Sequence, residues 1–267
     1  MKPRDIFLAK LRRGTAPRAS IGSATSVVTT DLMDRVGIAF PDAHLDPEKM
    51  ARLAATGHTE FGFDNVMPLY SVWHESAALG CPVDWGHSGQ MPDGRAIYSS
   101  IDDPIGIPPN FLKEPGCAVP LQALQWLTNE VGDQVAVVGK VFGPWTLGYH
   151  LFGVEEFLIS TLLNPDRVKQ VMRQLLEVTV AFAEAQIEQG ADALTLADHC
   201  TRDLCSPNAY REFLAEVHQE LHERIQCPLI LHICGDTSDR LGYIRETGLD
   251  CFHFDSKVPT AEARRLA

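Results

Sequence analysis

A chain of 267 residues, 45% hydrophobic and 22% charged, has the apolar content of one large domain. Its formal net charge of −12 argues against general binding to nucleic acid or to an anionic membrane face, both of which would repel it; a small anionic substrate held by a few local cations stays compatible with it. No apolar run reaches the roughly 20 residues that cross a bilayer, and the opening Met1-Lys2-Pro3-Arg4-Asp5 lacks the apolar core of a signal peptide, so the cytoplasm is the expected location.

In chain order, Asp5 to Arg13 reads as a short helix, and the small and β-branched stretch Ala19 to Val28 as a first strand. Asp46-Pro47-Glu48 supplies an N-cap, a proline at the first helical position and an acid in the first turn, which opens a helix through His58. Phe61 to Leu69 is a second strand candidate, and Ser71 to Leu79 a helix stopped by Gly80. Cys81 to Pro120, dense in Pro, Gly, Asp and Ser, reads as a long irregular excursion. A helix at Leu121 to Val131 and a buried strand at Gln134 to Phe142 follow, then a long helix at Pro165 to Gln189. After the turn Gly190-Ala191-Asp192 come a strand at Ala193 to Ala197, a helix from Ser206-Pro207 to about Gln226, and a strand at Pro228 to Ile233. The pattern ends with a helix at Ser238 to Thr247 and a strand at Cys251 to Phe254.

Short apolar strands alternating with helices predict α/β architecture around a parallel sheet. No glycine-rich phosphate loop follows the first strand, so a TIM (β/α)8 barrel is preferred to a Rossmann fold. Six strands are predicted. The expectation is therefore a single barrel domain over residues 1–267 that is cut off before its last two strands, with the C-terminal part missing.

A barrel of this kind places its active site where strands end and βα loops begin. His232 and Cys234, two apart on one strand, point to the same face and are ligand types that zinc favours; the alternative is a satisfied core histidine beside a small buried thiol. Cys251 and His253 share a face of the next strand. The seven cysteines, odd in number and scattered, suit reduced thiols or metal ligands better than a disulfide framework. Asp198 and Asp255, at two strand ends, are candidates to orient a ligand or receive a proton, or else to cap the following helix. His199, Cys200 and Cys205 surround a turn read as a surface loop. Asp64, Tyr70, His74 and Glu75 accompany the second strand; Asp64 and Tyr70 are taken as substrate-binding candidates, and Glu75 as a helix-surface acid. Trp73, Trp85 and Trp145 either wall a cofactor pocket or pack the core, and Trp145 is retained as a substrate-side candidate. Lys257 offers a cation to an anionic substrate.

The run Leu229-Ile230-Leu231-His232-Ile233-Cys234-Gly235-Asp236 resembles the zinc motif of the methylcobamide:coenzyme M and chloromethane-dehalogenase-type corrinoid methyltransferases, relatives of uroporphyrinogen decarboxylase. The likeness extends, in order, through Leu32-Met33-Asp34-Arg35-Val36-Gly37, Phe40-Pro41-Asp42-Ala43-His44, Ala78-Leu79-Gly80-Cys81, Gly143-Pro144-Trp145-Thr146-Leu147, Gly190-Ala191-Asp192 and Ala197-Asp198. The resemblance implies a TIM barrel whose open end meets a corrinoid protein or domain, with zinc held by His232, Cys234 and a more distal cysteine that has no counterpart in this sequence. The reaction it implies moves a methyl group between methylcobalamin and a small partner such as a thiol, tetrahydrofolate or a halomethane. Two readings compete. One is tetrapyrrole decarboxylation, which needs cations for many carboxylates, whereas Ile21 to Asp31 (IGSATSVVTTD) carries no arginine. The other is a barrel that docks a corrinoid protein without catalysis.

Overall fold

Strands whose side chains are apolar on both faces must be covered on both, and here parallel strands alternate with helices that do the covering. The computed structural model describes residues 1–266. The elements run α1 (Pro3–Leu11), α2 (Thr30–Val36), α3 (Asp42–Leu45), α4 (Pro47–Thr59), β1 (Asn65–Val66), α5 (His74–Ala78), β2 (Val83–Asp84), β3 (Asp93–Gly94), α6 (Pro115–Val131), β4 (Ala136–Phe142), α7 (Pro144–Phe152), α8 (Val154–Leu163) and α9 (Pro165–Glu188). They continue as β5 (Ala193–Ala197), α10 (Pro207–Ala209), α11 (Ala215–Arg224), β6 (Leu229–Ile233), α12 (Leu241–Glu246), β7 (Cys251–Phe254) and α13 (Thr260–Leu266). A π-helical turn at Tyr210–Leu214 joins α10 to α11. Five strands form one parallel sheet in the order β1-β4-β5-β6-β7, and β2 and β3 form a separate antiparallel hairpin.

The register aligns Phe142, Ala197, His232 and His253 across four strands. With a period of two, Lys140, Thr195, Ile230 and Cys251 form the row below on the same face. At the N-terminal end of the sheet this face is closed by α1: Phe7, Leu8 and Leu11 pack on Met67, Ala136, Val138, Ala193 and Ile230. Arg4 fastens the helix, donating to both carboxylate oxygens of Asp192 (3.1 and 2.5 Å), while Asp192 also accepts from the Val137 amide at 3.0 Å. The opposite face of the strands, with Val137, Val141, Leu194, Leu196, Leu229 and Leu231, enters the main core beneath α4, α6, α9 and α11. No helix among the described residues is long and apolar enough to cross a membrane.

Three expectations are corrected. The segment 19–28 is not a strand: it runs beside residues 64–65, but side chains intercept its backbone. Asp64 Oδ2 accepts from the Ile21 amide (2.8 Å), Asn65 Oδ1 accepts from the Ser23 amide (3.0 Å), and Asn65 Nδ2 donates to the Ser23 carbonyl (2.7 Å). The sheet thus has five parallel strands rather than six. The stretch Cys81 to Pro120 is not wholly irregular, because it contains the β2–β3 hairpin and the start of α6, which opens at Pro115 and takes Pro120 into its second turn. Residues 144–163, which carry no helix in the sequence reading, form α7 and α8.

Asp64 lies at the N-terminal end of β1, away from the strand ends where a barrel builds its site. Its fully buried carboxylate is gripped by Arg18 through two bonds (2.7 and 2.6 Å), by Ser20 Oγ (3.1 Å) and by the Ile21 amide. Burial works against its charge, but these partners outweigh burial and hold the carboxyl below the usual carboxylate range. A lowered folded-state pKa contributes stability that is present above the unfolded value of about 4 and is lost as pH falls through the folded value. Asp64→Ala is expected to cost about 2–4 kcal/mol in urea denaturation at pH 7, near the low end for a broken buried pair because Arg18 is part-exposed and can return to water. The deficit relative to the parent chain should shrink in acid.

Candidate active site

The C-terminal ends of β5, β6 and β7 bring three loops together, and a single carboxylate organises the first. Asp198, fully buried, accepts from the Thr146 amide and hydroxyl at 2.8 Å each, and its other oxygen lies 3.1 Å from His218 Nε2. His218 Nδ1 is in turn 2.9 Å from the Tyr210 hydroxyl, which the π-turn places there. The Thr146 amide belongs to the first turn of α7, so Asp198 caps a helix that starts on the neighbouring strand. Gly143 is required at the join, because a Cβ there would collide with the Asp198 carboxylate. The same Thr146 hydroxyl accepts from the His199 amide at 2.7 Å. Both oxygens of Asp198 are committed, so it holds the loop rather than facing the interior.

Trp145 is in the core, packed on Phe157 and Phe213. Its indole N–H donates to the Tyr149 hydroxyl, which donates to the His199 carbonyl. It supports the β5 loop. His199, Cys200 and Cys205 are not on a surface loop: both thiols are buried, and Arg240 donates at 2.6 Å to each of the Cys200 and Cys205 carbonyls. Burial pushes both thiols up, Cys205 to about 12.

His232 and Cys234 converge as their spacing predicts. His232 Nε2 lies 3.1 Å from Cys234 Sγ, and His232 Nδ1 lies 2.9 Å from His253 Nδ1, with the rings tilted by 32°. His253 therefore touches the ring nitrogen that faces away from the thiol. Burial and the neighbouring His253 lower His232 to about 4, so it is neutral at pH 7, and burial also lowers His253. Burial, then Asp255, raises the Cys234 thiol. Gly235 follows with φ +82° and no room for a Cβ against Thr201 Oγ1, which lets the chain turn away after the pair. Asp255 fixes that turn by accepting from the Gly235 amide (3.0 Å) and the Lys257 amide (3.0 Å). The Lys257 side chain is exposed beyond it. As a test of zinc binding, a neutral imidazole and a thiol with their donor atoms in contact fit two tetrahedral positions; among the described residues no third His, Cys, Asp or Glu completes a metal cluster.

Deeper in the interior the structure gathers residues that the sequence reading separates. Lys140 of β4 is buried and donates from Nζ to the Leu69 carbonyl at 2.6 Å. Glu75 is not a helix-surface acid; it is fully buried and accepts from the Phe142 amide at 3.0 and 3.2 Å. Burial pushes Glu75 up and Lys140 down to about 8. Tyr70 is also buried, its hydroxyl donating to the Met50 carbonyl at 3.2 Å, and its ring lies 6.3 Å from that of His44, which ends the Phe40–His44 run and is not among the predicted site residues.

Known proteins resemble this chain along most of its length. Residues 2–267 match the family model described as uroporphyrinogen decarboxylase (URO-D). A methylated-thiol–coenzyme M methyltransferase of Methanosarcina mazei is 32% identical across all of this chain and 72% of its own length. A methylcobamide:CoM methyltransferase (MtaA) of Methanosarcina barkeri is 29% identical over 97% of this chain and 78% of its own length. A uroporphyrinogen decarboxylase of Nostoc is 31% identical over 84% of this chain and 66% of its own length. Among solved structures, a methyltransferase from Methanosarcina mazei superposes with a TM-score of 0.95 at 26% identity, covering all of this chain and 80% of that one. The chain belongs to the uroporphyrinogen decarboxylase (URO-D) family, on its methylcobamide:CoM methyltransferase branch.

Proposed function

We propose that this chain transfers a methyl group between a corrinoid carried by a partner protein or domain and a small thiol, at the C-terminal end of a (β/α)8-type barrel of which the five parallel strands form an arc. The observation that carries the reading is the 3.1 Å contact between His232 Nε2 and Cys234 Sγ at the end of β6, backed by His253. The names of the relatives, which pair methylcobamide or a methylated thiol with coenzyme M, favour a thiol over tetrahydrofolate or a halomethane as the small partner. Tetrapyrrole decarboxylation is disfavoured: the stretch 21–31 has no arginine, and Arg18, just before it, is paired with Asp64 at the far end of β1.

His232 and Cys234 would hold zinc, leaving positions for the substrate thiol and one further ligand. Bound there, zinc would lower the thiol pKa and supply a thiolate at neutral pH. The residues of this chain do the positioning. For His232 to present a lone pair from Nε2, its proton must be on Nδ1, and His253 Nδ1 accepts that proton's hydrogen bond, which fixes both tautomer and ring plane. Asp255 holds the Gly235 turn that follows Cys234, and Asp198 fixes the rim through Thr146 and His199. In the thiol-methylating direction the corrinoid would supply the methyl group and keep the electron pair of the bond it gives up, while the residues around His232 and Cys234 would hold the thiol sulfur in line to receive it. An in-line displacement of this kind depends on alignment of donor and acceptor.

Cobalt(II) substituted for zinc is expected to give a thiolate-to-metal charge-transfer band that is absent in Cys234→Ser, together with loss of thiol methylation from methylcobalamin and an unchanged far-UV circular dichroism spectrum. An unaltered turnover number in Cys234→Ser would remove the thiolate ligand from the mechanism. His253→Phe should weaken zinc binding by about 10–100-fold, the range for loss of a group that orients a metal ligand, measured by competition with a chelator. A metal affinity equal to that of the parent chain would deny His253 its orienting role.

A further inference from the structure

Helix α8 is built inside out. It packs on α7 and α9 through Ser160 and through Phe157, whose ring meets those of Trp145 and Tyr149 edge-on. Glu156 also turns inward, accepting from the Ile101 amide at 2.9 Å and from the Ser160 hydroxyl at 3.4 Å. The aliphatic residues point the other way: Leu162 and Leu163 are 83% and 80% exposed, and Val154 and Ile159 nearly half. A surface helix normally buries its apolar stripe, and an exposed stripe on a folded protein marks a place where something else binds.

The position of this stripe follows from how α9 sits on the sheet. Near its C-terminal end, Gln186 bonds both backbone groups of Lys140. Seven residues earlier in α9, Thr179 Oγ1 donates at 2.8 Å to the carbonyl of Phe142, the last residue of β4. The part of α9 before Thr179, residues 165–178, therefore runs on past the strand end for about 20 Å along the helix axis. Leu162 and Leu163 come directly before it. They stand on a wall that projects from the end of the sheet where His232 and Cys234 lie. The β1–α6 connection braces this wall: Arg167 donates to the Ile101 and Asp103 carbonyls at 3.0 and 3.1 Å, and Asn164 donates to Asp102 at 3.2 Å.

Charge and size select the occupant. Helix α8 has Glu155 and Glu156 in its first turn and no basic residue, and the exposed Asp102 sits beside its C-terminal cap. Two copies of this chain paired through α8 about a two-fold axis would run antiparallel, setting the acids of one helix start against Asp102 of the other copy, a like-charge contact that disfavours the pair. A net charge of −12 likewise opposes an anionic membrane. A helix about 15 Å long and roughly 10 Å across covers on the order of a few hundred Å², short of the roughly 800 Å² per partner of a standard interface. So small an area suits a partner that docks and leaves in each catalytic cycle. We propose that the outer face of α8 is the docking surface for the protein that carries the methylcorrinoid, which meets it with an apolar centre and a basic rim. The identity of that partner rests on the proposed function; the existence of the surface rests on α8.

The test compares the full chain with its Leu162→Glu/Leu163→Glu variant on two methyl donors, with 2-mercaptoethanol as acceptor. One donor is free methylcobalamin; the other is the methylcorrinoid protein of the same cells, identified by its visible absorption. Both substitutions are at exposed positions, so turnover of methylcobalamin and the far-UV circular dichroism spectrum should be unchanged. With the protein-bound donor kcat/KM should fall by about 10–100-fold, the scale of a lost interface anchor, and calorimetric titration with the unmethylated carrier should show its affinity falling by the same factor. Glu155→Lys should weaken carrier binding too, and added salt should weaken it in the parent chain. Carrier binding that the leucine variant weakens, without methyl transfer from either donor, would uphold the surface and defeat the proposed function. Equal carrier affinity in parent and variants, or no carrier binding at all, would overturn the surface. So would a parent chain that instead self-associates, or binds phosphatidylcholine vesicles, through these leucines.

Discussion

The carboxylate of Asp198 ties together more of the candidate site than any metal-type residue does. From the end of β5 it reaches the first turn of α7 through Thr146 and the body of α11 through His218, and its Thr146 partner in turn receives the His199 amide. Each of these groups is buried, so leaving any of them unpaired would cost about 1–3 kcal/mol. The cost is avoided only when strand, loop and two helices adopt one mutual arrangement. That constraint explains two local features with no other evident purpose: a glycine at 143, where any side chain would collide with the carboxylate, and the π-turn that brings the Tyr210 hydroxyl to the far side of His218. The rim next to the His232–Cys234 pair is therefore rigid before any ligand arrives, which suits a displacement that depends on alignment.

How much of this could be read from the residues depends on whether the signal is local. The strands at 193–197 and 251–254 and the helix from Pro165 are found where periodicity puts them, because their apolar pattern is set by burial alone. The pairing of His232 with Cys234 is also local, since alternation on a strand fixes it. The segment 19–28 reads as a strand because its composition is that of one; what denies it a ladder is the Asp64 and Asn65 side chains some 40 residues later. Helix α7 is buried at every position, and α8 leaves Leu162 and Leu163 exposed along with its polar residues, so neither shows a clear amphipathic period. His44, His74, Glu75 and Lys140 are dispersed over almost 100 residues. Their immediate neighbours do not mark them as one group, and only the folded chain brings them into one interior. Asp64, Tyr70 and Trp145, read from the sequence as substrate-side candidates, each have hydrogen-bond partners within the protein framework.

Charge distribution sharpens the contrast between surface and interior. The chain carries a net charge of −12, yet the described interior around His232 holds a lysine, several neutral histidines and an acid that burial drives toward its neutral form. An acidic exterior repels polyanions, while burial disfavours charge on the ionisable groups within.

The cap that α1 forms on the sheet has a consequence for how the protein is made. This helix leaves a ribosome well before the residues that bury Phe7, Leu8 and Leu11, which are Met67, Ala136, Val138, Ala193 and Ile230. At roughly 5–20 residues per second of synthesis, the last of these emerges roughly 10–45 s after the helix does. Throughout that interval the apolar stripe of α1 has no permanent partner and is available to chaperones or to the same stripe on a neighbouring nascent chain. Placing this nine-residue lid ahead of the strands it covers thus makes completion of the fold a late, long-range event, and leaves the helix open to misassociation while those strands are still being synthesised.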